Sequence, residues 1–390
     1  VFFREAELLR RNGHETVFFS MRHPENRPSK SDPYFVSHIE LHNPGWKDRV
    51  RAPGRILYSI EARSKMKALL EAERPDLAHL HSIYHHLSPS VLHALKAKKI
   101  PMVMTLHDYK TVCASYLLRA GGEPCEACAG GRHWNCFFKK CVHGSRLKSA
   151  LNTVEMILHH EILKIYDLID CFIVPSRFMI AKLRAMGFTG KTVHLPNFID
   201  ASRYVPVYAP PGREIAYFGR LSREKGIETL VDAVRDTDLD LHLIGEGPLK
   251  SALVEKVANE KINNVRFSGY LREDELKKKL GLVQFVAVPS TWYENNPLSI
   301  LEAFAMGKPV VGADIGGIPE LVRNNETGML FEPGNVESLR EALIKLSSDR
   351  DRLIQMGKNA REMVEKYYSP DVHFRGLMEI YRSASTGLEQ

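Results

Sequence analysis

The 390-residue chain has no apolar run near the roughly 20 residues that a membrane-spanning helix needs, which excludes a helical membrane core. The residues given show no secretory leader pattern either. Its six cysteines do not read as a secreted disulfide framework in a chain this long, so a reducing cytoplasm is the expected setting. Neither sign of charge dominates the whole chain, whose net charge is +7, but the balance is uneven along it. Residues 1–200 hold 29 Lys and Arg against 19 Asp and Glu, and the remainder holds 25 against 28. A basic first half can attract an anionic membrane, nucleic acid or a phosphorylated acceptor. The stretch Lys47 to Lys67 is the most basic, and Trp46, Ile56, Leu57, Tyr58 and Ile60 are interspersed there. This suits an interfacial helix lying on a membrane, or equally a solvated helix face.

What is present is a globular composition, 44% hydrophobic, in a length that suggests two domains. Val1 to Asn12 reads as a helix with Phe2, Phe3, Ala6 and Leu9 inward, stopped by Gly13, and Thr16–Phe19 reads as a short strand. Apolar strands then alternate with amphipathic helices. In the first half they are Leu77–Leu80, Met102–Leu106, Cys171–Val174 and Thr192–Leu195. In the second they are Ile215–Phe218, Leu241–Ile244, Val265–Phe267, Phe285–Val288 and Val310–Val311. Short continuous apolar strands separated by helices argue for an α/β fold with parallel sheets buried on both faces. Pro206, Pro210 and Pro211 interrupt the alternation and mark a linker. The expected organisation is a first Rossmann-like domain over 1–199 with a Cys-rich insert at 113–145, a linker at 200–213, a second domain over 214–368, and a C-terminal segment at 369–390.

The chemistry-bearing patterns follow strand ends, where ligands bind in such sheets. Gly219 to Gly226 places Arg220 and Lys225 in a glycine-bounded loop directly after an apolar strand. Glu294 to Glu302 reads E-N-N-P-L-S-I-L-E, two carboxylates flanking the start of an apolar helix. Pro297 is tolerated there because its missing N–H would be unpaired anyway. The N–H groups of Leu298 and Ser299 then point out of the helix start, where the helix dipole also favours negative charge: a phosphate site. Arg220 and Lys225 supply countercharge, and Glu302 reaches a second polar part of the ligand, most simply a ribose diol. Two glutamates at this spacing are also common on surfaces; the pairing of both motifs in one half favours the ligand reading. Together they are the parts needed to hold a nucleoside diphosphate.

His107 and Asp108 follow the strand Met102–Leu106, and a lone histidine there is either structural or catalytic. In the glycine-rich insert beyond it lie Cys125, Cys128, Cys136 and Cys141, one CxxC knuckle plus two further thiols. They suggest a closed structural zinc site stapling a long loop, with His133 or His143 able to replace one ligand; free thiols are the alternative. Four thiolates leave no open position, so this would not be a catalytic metal.

Seven segments in order resemble the retaining glycosyltransferases of family 4. They are His107-Asp108, Pro196–Asp200, Gly219–Gly226, Gly245–Leu249, Gly269-Tyr270, Glu294–Glu302 and Gly316–Glu320. The resemblance covers nearly the whole chain. It implies the GT-B fold, two facing Rossmann-like domains with a C-terminal helix crossing back onto the first, and transfer of a hexosyl unit from a nucleotide sugar to a glycan or lipid-linked hydroxyl, with no cofactor or metal required. It places His107 and Glu294 near the donor sugar, Arg220 and Lys225 on the diphosphate, and Glu302 on the ribose. Asn296, Pro297, Leu298 and Ser299 then line the helix mouth, and the Gly269-Tyr270 turn reads the base. Lipid-linked acceptors in relatives favour a peripheral position on the inner membrane face and a role in surface polysaccharide synthesis. Family members begin with an apolar strand and a glycine loop before the first helix. The chain is therefore expected to lack that strand, to bind nucleotide weakly and to transfer sugar poorly.

Two rival functions are an epimerase on the same fold and a non-catalytic basic module binding membrane or nucleic acid. A phosphorylase needs a pyridoxal-phosphate lysine site that nothing marks. The basic-module reading leaves the acidic second half and its phosphate loop unexplained, so nucleic acid is not expected as a partner.

Overall fold

A computed structural model describes residues 1–41 and 45–386; Gly387 to Gln390, the end of the segment expected at 369–390, lie outside them. The first half is built on a parallel four-stranded sheet in the order Ala78–His81, Met102–Thr105, Cys171–Val174, Thr192–His194. Its two inner strands read M-V-M-T and C-F-I-V and are buried throughout. An uninterrupted apolar strand has no solvent face to offer, so helices must cover both sides. Leu69, Leu70, Leu92 and Leu95 cover one side. On the other, Leu377, Ile380 and Ala384 of the final helix, Pro370–Thr386, pack on Val103, Cys171 and Ile173. The last helix therefore crosses back from the second half to the first.

The second half has six parallel strands in the order Gly328–Phe331, Val310–Ala313, Val286–Val288, Glu214–Phe218, Asp240–Ile244, Val265–Gly269. The chain starts at Glu214–Phe218, builds outward on one side, then returns to build on the other. The order reverses between Glu214–Phe218 and Val286–Val288, and in such sheets this is where two neighbouring loops leave in opposite directions and open a crevice.

Several elements differ from the sequence expectation. Thr16–Phe19 forms no strand; nearby, an isolated bridge joins Met21 and Val36. The 31–36 loop lies beside this segment, with Ser31 Oγ donating to Phe18 O and Val36 N to Ser20 O. The first helix, Phe2–Arg11, buries Glu5, Ala6 and Leu8, while Phe2 and Phe3 are exposed. The basic stretch is two helices, Trp46–Leu57 and Ile60–Glu73, broken where Ser59 Oγ caps the second by accepting from Ala62 N. Ile56 turns inward, whereas Trp46 and Ile60 are exposed. A strand at Gly328–Phe331 was not expected, its short run being preceded by the polar Asn324–Thr327.

Candidate active site

The two loops at the strand reversal carry both sequence motifs. The first leaves Glu214–Phe218, passes Arg220, makes a single helical turn at Arg223–Lys225, and enters the helix Ile227–Val234. The second leaves Val286–Val288 and runs through Glu294 and Pro297 into the helix Leu298–Ala305. They lie against each other: Thr291 N donates to Glu224 O at 2.9 Å. At Gly226 the backbone is left-handed (φ +66°), and a Cβ would sit 1.9 Å from Pro289 O. Only glycine fits that approach.

Across this contact Lys225 Nζ donates to Glu294 Oε1 at 2.6 Å, and Ser290 Oγ donates to the same oxygen at 2.6 Å. Glu294 is buried, and Lys225 Nζ also lies 5.2 Å from the centre of the Trp292 ring. A buried carboxylate without partners is costly, so this pair sets the separation of the two loops. Arg220 is exposed and has no ion pair among the described residues. Its charge stands near Tyr116 of the insert. At the helix mouth Pro297 occupies the cap position, and Leu298 and Ser299 N–H have no acceptor among the described residues. Arg220, the Glu294-bound Lys225 and the two free donors thus lie on two loops in contact, a combination of charge and helix start that suits an anion.

Asn295 and Asn296 work across the two halves. Asn295 Nδ2 donates to Leu106 O at 3.0 Å, and its Oδ1 accepts from Ser176 Oγ at 2.9 Å. Asn296 Oδ1 accepts from Asn197 N at 3.1 Å. The motif Gly316–Glu320 supports this seam, because a Cβ on Gly317 would fall 1.7 Å from Asn295 O. Glu320 accepts from the N–H groups of Arg177 and Phe178 at 3.0 and 2.6 Å, capping a helix of the first half.

The remaining residues separate. Gly269 O accepts from Gly245 N at 2.7 Å at the sheet edge, and the Tyr270 ring is exposed. Glu302 is not a free carboxylate: Arg4 Nη2 donates to it at 2.8 Å from the first helix. His107 sits directly after the peptide that Asn295 holds, half-buried, with Nε2 2.8 Å from His81 Nδ1. Burial, and then the neighbouring His81, push its pKa down to about 4, so the ring is neutral near pH 7. Burial likewise raises the Asp108 carboxyl. A cavity of about 780 Å³ is lined by Leu9, Met66, Leu80 and Met378 and also by Glu5, His79 and His81, the last in contact with His107.

Sequence reasoning missed the anchor beneath His107. Lys110 is buried, and its Nζ donates to Glu155 Oε2 at 2.7 Å and to Ala114 O at 3.2 Å. This ion pair ties the loop after Met102–Thr105 to the helix Arg146–Met156. No spacing signals it, since the partners are 45 positions apart. A fifth thiol was missed too: Cys113 joins Cys125, Cys128, Cys136 and Cys141 around one cavity of about 10 Å³. Burial and the neighbouring thiols of Cys113, Cys136 and Cys125 push Cys128 up to about 12. A hydrogen bond with Cys141 brings Cys136 down to about 7.

Residues 1–203 match the family model described as Glycosyltransferase Family 4, and residues 207–363 match Glycosyl transferases group 1. Among curated proteins, the chain is 25% identical over 324 residues to N-acetyl-alpha-D-glucosaminyl L-malate synthase of Bacillus anthracis, covering 80% of this chain and 75% of that one. It spans less than two thirds of the length of other curated relatives, 58% of one and 54% of another. Sucrose-phosphate synthase from Thermosynechococcus elongatus has a similar fold, with a TM-score of 0.75 at 22% identity over 99% of this chain and 93% of that one. Anabaena HepE, solved in complex with UDP-glucose, gives a TM-score of 0.63 at 17% identity over 94% and 99%.

Because Gly226 permits the loop contact, Gly226→Ala is expected to lower the thermal midpoint, with a backbone cost of at least about 1–2 kcal/mol. Gly54→Ala, inside the helix Trp46–Leu57 with nothing within 4 Å of its Cβ, is expected to be neutral or stabilising. Equal midpoints for the two variants in a melting experiment would contradict this packing.

Proposed function

The chain belongs to Glycosyltransferase Family 4 and has the GT-B fold, and from that premise we propose that it transfers a hexosyl unit from a nucleoside-diphosphate sugar to a hydroxyl of a glycan or lipid-linked acceptor. The observation that supports the proposal is the contact of the two strand-reversal loops, where Lys225 is paired with Glu294 three residues before the open helix start at Leu298 and Ser299 and Arg220 lies on the same loop as Lys225. Splitting the anomeric C–O bond builds charge on the leaving diphosphate, and fixed donors aimed at that charge are the main catalytic resource. Glu294 holds Lys225 in place and stands beside the donor sugar. Glu302, shared with Arg4, serves the ribose, and the turn at Gly269 and Tyr270 serves the base. The UDP-glucose bound in the Anabaena structure supports a donor of this class.

In this reading the reaction retains configuration by front-face attack, the leaving phosphate taking the acceptor proton, with His107 approaching the sugar and no metal taking part. Association with an anionic membrane surface on the cytoplasmic side is supported by the exposed Trp46, Val50 and Ile60 within the basic helices. No helix among the described residues is long and apolar enough to cross a membrane. A role in surface polysaccharide synthesis follows from the acceptor class.

Structural zinc in the insert belongs to the same proposal. Its support is the shared cavity of five thiols; three of their sulfurs do not come within 4.8 Å of one another, so the metal would draw them together and displace thiol protons.

Titration calorimetry with uridine and guanosine diphosphates tests the donor site. Arg220→Ala is expected to weaken the cognate diphosphate about 10- to 100-fold, the range for a lost hydrogen bond to a charged group, without unfolding the protein. Unchanged affinity would remove Arg220 from the site. With labelled nucleotide sugar, a new glycoside supports transfer, whereas free epimerised sugar would replace it with the epimerase reading. Metal analysis of protein purified without chelators is expected to find about one zinc per chain, and less in Cys128→Ser. Wild-type protein free of zinc would end that part of the proposal.

A further inference from the structure

Beneath His107 lies a buried chain of polar groups that the donor site does not use. Glu5 of the first helix is almost fully buried, and its Oε1 lies 3.0 Å from His373 Nε2. Its Oε2 faces His81 Nε2 at 3.2 Å. His81 Nδ1 lies 2.8 Å from His107 Nε2, the two rings stacked with an interplanar angle of 21°. His373 Nδ1, on the final helix, lies 2.9 Å from Pro196 O. Beside them His79 is bonded through both nitrogens, to Tyr381 Oη at 2.8 Å and Thr105 Oγ1 at 2.7 Å.

Donors of Glu5, His79 and His81 come within 4.8 Å of one another, the one such group among the described residues. They do not make a metal site as they stand, because all four imidazole nitrogens already have partners. The geometry describes a chain of close polar contacts, in which Glu5 Oε2 has His81 Nε2 at 3.2 Å as its nearest donor although the two are not aligned as a hydrogen bond, and proton bookkeeping gives the chain a direction when His81 is neutral. Burial alone would raise the Glu5 carboxyl, but His373 and His81 hold it well below its ordinary range, so it is ionised and can only accept; Pro196 O can only accept too, so His373 between them carries hydrogen on both nitrogens. His81 Nε2 therefore carries hydrogen. In a neutral His81 the other nitrogen, Nδ1, is then an acceptor, and the hydrogen between the two rings belongs to His107 Nε2. With its own ring neutral, His107 keeps a lone pair on Nδ1, which has no partner among the described residues.

We propose that Glu5 and His81 are positioning residues for His107, holding its imidazole as the Nε2–H tautomer so that Nδ1 accepts a hydrogen bond from a substrate hydroxyl. The inference rests on the reading of His107 as the sugar-facing histidine. It adds that His107 accepts from the sugar and does not donate to it. A carboxylate behind a histidine is a general means of fixing tautomer and ring orientation; here a second imidazole relays it over one more step. Glu5 is shared with His373, so docking of the final helix and orientation of His107 depend on one carboxylate.

The test is the tautomer itself, read by long-range ¹H–¹⁵N correlation on the full chain with labelled histidine. The His107 signal is assigned by its loss in His107→Gln. Wild type is expected to show Nε2–H. Glu5→Gln should keep that form, because its amide oxygen still accepts from His81, while Glu5→Leu should shift His107 to a mixture of tautomers. An Nδ1–H tautomer in wild type would overturn the proposal by showing that His81 donates to His107. So would an unchanged signal in folded Glu5→Leu; if that variant does not fold, the wild-type tautomer decides alone. None of these readings depends on turnover, so a failure of the glycosyltransferase proposal is distinguishable from a failure of this one.

Discussion

The reversal of strand order between Glu214–Phe218 and Val286–Val288 is the constraint on which the rest depends. Two parallel neighbours whose chains depart in opposite directions must send adjacent loops off one sheet edge. Those loops cannot both be bulky. Gly226 lets them touch, and the Lys225–Glu294 pair then fixes their spacing at 2.6 Å between charged atoms. The same pair ties the ammonium to Glu294, three residues before Pro297 and the open start of Leu298–Ala305. Ion pairs this buried add little net stability, but they are costly to break on one side, which makes them effective at specifying geometry.

The two halves meet through the backbone of the same segment. Asn295 reaches the carbonyl before His107, Asn296 holds Asn197 at the end of the first half, and Glu320 caps a helix on the other side. Residues flanking the strand-reversal crevice are therefore also contacts between the two halves. The final helix makes a second link by packing on the first sheet and meeting Glu5 through His373. An arrival at the crevice that moves Glu294 or Asn295 would be felt at His107 through one peptide.

Much of this was legible in the sequence, for specific reasons. Runs such as C-F-I-V cannot be amphipathic, so parallel buried strands followed, and Pro297 and the glycines marked loops whose backbone conformations few residues allow. Nine strands were expected in these two sheets and are present within a residue or two at their ends. What escaped was long-range polar pairing. Lys110 with Glu155, Arg4 with Glu302, and Glu5 with His81 and His373 have separations from 45 to 368 positions, and no local periodicity encodes them. For the same reason the first helix was turned the wrong way: Glu5 looks like a surface residue until two histidines from distant segments surround it. Thr16–Phe19 has the composition of a strand, yet it pairs with none, its Phe18 carbonyl accepting from Ser31 of a nearby loop.

The account stands or falls on where a nucleoside diphosphate sits. A crystal structure of the chain with the cognate diphosphate is expected to place its phosphate oxygens against the N–H groups of Leu298 and Ser299, within reach of Lys225 and Arg220. Density for the diphosphate at any other surface, with the mouth of Leu298–Ala305 empty at saturating ligand, would contradict it.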